Sequence, residues 1–152
     1  MAMLGMSAMA MRSLVTFKAT GFPNEATWTP TGSPVVPAGR RVAEALVKAL
    51  REMGLEVSIP QQHLFYGWCF EIAFHDGREW CLLQQPGPWL LLVREKRSVL
   101  HRLFHRTSGG ELNRALTALD QVLKLDSRFS SIQWFEEQAY DAGAKQGAET
   151  PL

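Results

Sequence analysis

Few residues in this chain of 152 can do chemistry: two cysteines, four histidines, and the acids Glu71 and Glu79 in a strongly alternating stretch. Cys69 and His75 share a parity along that stretch, yet six residues of strand set them about 20 Å apart at roughly 3.4 Å per residue. They cannot form a nucleophile–base pair. Cys81 is expected opposite Glu71, where a carboxylate raises a thiol pKa instead of activating it. Cys69 and Cys81 are expected on one face but diagonal, with Cβ atoms about 7 Å apart, beyond disulfide reach. Both read as free structural thiols.

His101 and His105 are four apart on an expected helix, the spacing of two zinc ligands on one face. Arg102 stands where a metalloprotease motif needs Glu, and Arg97, Arg102 and Arg106 repel a cation. No metal is expected. Lys96, Arg97, His101, Arg102, His105 and Arg106 read better as a basic strip, a second-choice surface for an acidic partner or a phosphate. Ser108-Gly109-Gly110 precedes a helix but lacks the pattern of a phosphate-binding loop, so no cofactor is expected. Glu71 and Glu79 are expected on one sheet face with Cys69, Ala73, Cys81 and Leu83. A sheet face alone offers no cleft for a carboxylate pair. Its mixture of apolar and acidic residues suits docking.

The element that must position these residues is a β-hairpin over residues 65–85. A three-residue loop with Gly77 in the left-handed position sets Phe74 opposite Arg78 and Ile72 opposite Trp80. Trp68, Phe70, Ile72, Phe74, Trp80 and Leu82 then share the core face. Before it come a strand over 13–19, a Pro- and Gly-rich loop over 21–36, a helix over 37–53 and a strand over 55–59. Within the loop, Phe22 and Trp28 are expected to pin it to the body, with Glu25 and Trp28 its candidates for a partner. The helix stripe is Val42, Leu46, Leu50 and Met53, and Glu44 suits an i, i+4 pair with Lys48. After the hairpin follow a strand at 89–93, a short basic helix over 96–106, a helix opening at a Ser108/Glu111 capping box, and a strand over 131–135 with Ile132 and Trp134 inward. This order, β-α-β-β-β-β-α-α-β, predicts a single α+β sandwich over 13–135. Its sheet is mostly antiparallel, of about five or six strands, with two main helices on one face. Residues 1–12 and 136–152 read as a loose start and a fraying polar tail.

A net charge of +1 argues against a dedicated nucleic-acid binder. No apolar run is long enough for a membrane span, the first residues lack a signal peptide's basic start, and free thiols point to a reducing, cytoplasmic setting. In general layout the chain is similar to the small α/β immunity and adaptor proteins of bacterial toxin systems. That likeness, five tryptophans and the lack of a catalytic constellation make a non-enzymatic protein-binding module the leading expectation. Its surface would combine Glu25 and Trp28 with Glu71, Glu79 and Cys81, and the acids favour a basic partner protein. Homo-oligomerisation stays open. The alternative is a small-molecule or nucleotide-handling enzyme with its site between the 21–36 loop and the sheet.

Overall fold

Five consecutive apolar residues, Trp89 to Val93, are buried on both faces, so their strand must run through the middle of a covered sheet. The computed structural model describes residues 11–85, 87–96 and 109–152 and places that strand as expected. The elements are β1 (Leu14–Ala19), β2 (Thr27–Trp28), β3 (Pro34–Val36), α1 (Arg40–Glu52), β4 (Glu56–Val57), β5 (Gln61–His63), β6 (Gly67–Phe74), β7 (Gly77–Gln84), β8 (Trp89–Lys96), α2 (Gly109–Leu125), β9 (Phe129–Phe135) and α3 (Glu137–Asp141). The main sheet has seven strands in the order β4-β6-β7-β8-β1-β9, with β5 beside β4 on the same edge of β6. Every pairing in it is antiparallel. A separate two-stranded hairpin, β2–β3, sits in the 21–36 segment. The chain is thus a single α+β fold with a mostly antiparallel sheet.

Both long helices lie on one sheet face because each carries a single apolar stripe. From α1 come Val42, Ala43, Leu46, Val47 and Leu50; from α2, Ala115, Leu116, Ala118, Leu119, Val122 and Leu123. Met53, expected in the α1 stripe, is exposed just past the helix end. Glu44 pairs with Arg40 and Arg41 one turn before it, not with Lys48. Val15, Phe17, Phe70, Ile72, Leu83, Leu91 and Trp134 meet the helices from the sheet. The Trp134 indole N–H donates to Asp120 Oδ1 on α2 at 2.9 Å, so the ring is both packed and satisfied.

The central hairpin turns one residue earlier than expected. Phe74 pairs with Gly77, leaving only His75 and Asp76 in the loop. Gly77 has no positive φ, so it does not supply the left-handed position assumed for a three-residue loop. The Asp76 N–H instead donates to Glu111 Oε2 on the first turn of α2, at 2.9 Å. The shift moves every β7 side chain to the other face. Trp68, Phe70, Ile72 and Phe74 keep their place under the helices, but Glu79, Cys81 and Leu83 join them there. Trp80 and Leu82 go to the outer face.

The end of the chain is docked. Trp134 and Ala148 exchange backbone hydrogen bonds of 2.8 Å, Arg12 N–H donates to Pro151 O at 2.9 Å, and Lys124 Nζ reaches Glu149 O at 2.8 Å. On the outer face α3 covers a second, smaller core of Leu14, Leu90, Leu92 and Phe135, with Tyr140 against it. The tail therefore covers the β9 edge at Trp134, where backbone groups would otherwise be unpaired.

Candidate functional site

β5 and β6 join through a three-residue loop, Leu64-Phe65-Tyr66, since His63 pairs with Gly67. All three side chains are large and exposed, at 62%, 57% and 38%. Leu64 has φ 53, a left-handed conformation that a bulky side chain rarely adopts. Turns ordinarily spend Gly, Asn or Asp on such a position. A run of three exposed apolar residues on a strained turn is unfavourable for folding alone, and points to use.

A second exposed element stands beside it. Trp28 at 61% and Val35 at 49% project from the β2–β3 hairpin. Gln62 Nε2 ties the two together, donating to Val35 O at 2.8 Å and to Leu64 O at 2.7 Å. Between them lies a groove of about 340 Å³ lined by Trp28, Val36, Pro37, Phe65 and Tyr66, with Asn24 and Gln85 as polar lining residues. Its base is rigid, because Trp68 Nε1 donates to Pro37 O at 3.0 Å and Gly39 lets the chain pass close over Trp68 and Trp89. Among its described lining residues none is charged, and Tyr66 is the one titratable group.

The residues nominated from sequence do not assemble into one surface. Glu25 is a helix cap: its Oε1 accepts from the Arg41 N–H at 2.9 Å at the start of α1. Trp28 lines the groove and does not pin the loop. Phe22 does the pinning, stacked on Phe129 with Arg128 over its ring. Glu71 stays on the outer face, held by Lys96 Nζ at 2.7 Å and Arg78 Nη1 at 3.3 Å. The Lys96 hydrogen bond, with Arg78 adding to it, holds its carboxyl below the usual range against a smaller opposing effect of burial. Glu79 and Cys81 are fully buried on the helix face, so neither can meet a partner. Burial first, then the Glu79 carboxylate, pushes the Cys81 thiol far above its ordinary value. Cys69 pairs with Leu82 and stands on the outer face, so the two thiols point away from each other across the sheet.

His75 is 95% exposed in the β6–β7 turn, whereas Cys81 is fully buried under the helices. Among the described residues no group of three or more His, Cys, Asp or Glu is placed to hold a metal ion, and no helix is long and apolar enough to cross a membrane. Of the second-choice basic strip only Lys96 is described; Arg97, His101, Arg102, His105 and Arg106 lie outside the described residues. The expected basic helix lies there too, as does Ser108 of the capping box. Phe65 and Tyr66 escaped the sequence reading because they continue the alternation of the hairpin that follows them. The available signal was three large apolar residues directly before Gly67. Against models of known families, curated proteins and solved structures, the chain gives no significant match.

Proposed function

We propose that the protein is a non-enzymatic binding module, of the inhibitor, immunity or adaptor kind, that docks another protein on the Trp28–Phe65–Tyr66 groove. The carrying observation is the exposed Leu64-Phe65-Tyr66 turn with Leu64 in a left-handed conformation. Interface cores are depleted in charge and enriched in aromatic residues, as this groove is. Its occupant is an uncharged, apolar side chain of the partner, flanked by backbone carbonyls that the Gln85 amide and the Trp28 indole can meet. The groove also lies where a small-molecule enzyme would have its site. It offers no nucleophile, general base or anion holder among its described lining residues, which favours docking over catalysis.

Co-purification of the native chain, followed by mass spectrometry, names candidates. Calorimetry with the purified partner then tests the site. Trp28→Ala and Phe65→Ala should each weaken binding by tenfold or more, chiefly through the off-rate, as for buried aromatic anchors. Both side chains are exposed, so the unfolding midpoint should barely move. Unchanged affinity in both folded variants would place the binding surface elsewhere.

A further inference from the structure

On the sheet face opposite α1 and α2, the docked tail leaves a cleft of about 450 Å³. Thr16 and Lys18 reach it from β1, Ser131 and Gln133 from β9, and Tyr140 and Lys145 from the tail. Among the described lining residues there is no carboxylate. Neither lysine has an ion-pair partner among the described residues, and the hydroxyls of Thr16, Ser131 and Tyr140 are likewise unengaged there. One acceptor of the cleft, Gln133 Oε1, is taken by the Gly147 N–H at 2.8 Å. What remains for a ligand is two ammonium groups and three hydroxyls, a set that suits the several oxygens of a phosphate.

Two further features mark this cleft. Thr16 pairs with Gln133 but Lys18 with Ser130, so Ser131 and Ile132 together stand opposite Phe17. Ser131 at this bulge has φ 52, a conformation costly for a residue other than glycine. Strain of this kind gathers at ligand sites. Phe135, itself a lining residue, meets Tyr140 edge to face at 5.3 Å, giving the cleft an aromatic wall. The volume lies within the range of small-molecule sites.

We infer that this cleft binds an organic phosphate of mononucleotide size, its phosphate between Lys18 and Lys145 and its ring against Tyr140. The site is independent of the docking groove and stands or falls separately. Titration of the isotope-labelled full chain followed by NMR tests it, with adenosine monophosphate, adenosine and inorganic phosphate as probes. The monophosphate should shift the amides around Lys18, Ser131, Tyr140 and Lys145 saturably. Lys18→Ala and Lys145→Ala should each weaken it about five- to tenfold, and added salt should weaken it further. Both lysines are exposed, and the dispersion of the variant spectra reports that the fold is intact. Three results overturn the inference: no saturable shift in the cleft, phosphate as effective as the nucleotide, or adenosine as effective as the nucleotide.

Discussion

Glu79 pairs with Ile72 across the central hairpin, and both side chains are fully buried beneath the helices. This register fixes the fate of the thiols, Cys81 two residues beyond Glu79 on one strand and Cys69 three residues before Ile72 on the other. Cys81 points into the core with Glu79, while Cys69 points outward with Glu71.

The thiols should therefore react at very different rates. Cys69 is partly exposed and should label readily in the native protein, whereas Cys81 is sealed and its thiolate is strongly disfavoured. If Cys81 reacts only through global unfolding, a stability of about 5–15 kcal/mol slows it by a thousandfold or more. A thiol-reagent titration at neutral pH should count one fast cysteine, and two in denaturant. Fast labelling of Cys81 would contradict the register.

Glu71 should lend stability that disappears in acid. Its carboxyl is held below the ordinary value by Lys96 and Arg78, so its contribution is whole above the ordinary carboxylate range. It is lost as the pH falls through the lowered value. Both cations are mostly exposed, which limits the effect to roughly 0.5–1 kcal/mol at neutral pH. Urea unfolding of Glu71→Gln against the parent should show that gap at pH 7. The gap should narrow towards zero below the folded pKa, and salt should reduce it. A gap constant with pH would mean that packing, not charge, is responsible.

Glu25 should act on stability and on the loop together. Its carboxylate caps an N–H of α1 that Gly39, having no side chain, cannot reach. Glu25→Ala should cost about 1 kcal/mol, as other lost caps do. It should also raise hydrogen exchange at the first turn of α1 and in the β2–β3 hairpin. Stability lost without faster exchange there would place the effect elsewhere.

What could be read from residue order followed patterns with one solution. The stripe of α2 and the alternation of Trp68, Phe70, Ile72 and Phe74 each admit a single buried face. β7 admits two, since Trp80 with Leu82 and Cys81 with Leu83 are both apolar pairs. The register that forms brings the Asp76 N–H onto Glu111, a tertiary contact that no local signal carries. Trp28 misled because tryptophan is usually buried, whereas here its ring stands exposed on the short β2–β3 hairpin. The docking of residues 136–152 was hidden because it relies on backbone bonds and on small residues.

That docking carries the last prediction. Gly147 lies so close to β9 that an added Cβ would stand 2.8 Å from Trp134 O and 2.9 Å from Gln133 Cβ. Neither can retreat cheaply, because Trp134 is wedged under α2 and Gln133 holds the Gly147 N–H. Gly147→Val should therefore lift the tail and cost about 1–3 kcal/mol, as overpacking does. It should also open the β9 edge and the Leu14, Leu90, Leu92 and Phe135 core beneath α3, inviting edge-to-edge association. Light scattering and urea unfolding should show both effects in Gly147→Val. Gln146→Val, exposed one residue earlier, should show neither. Deleting residues 137–152 should reproduce the association more strongly. A monomeric, fully stable Gly147→Val protein would mean that the tail is not what closes this edge.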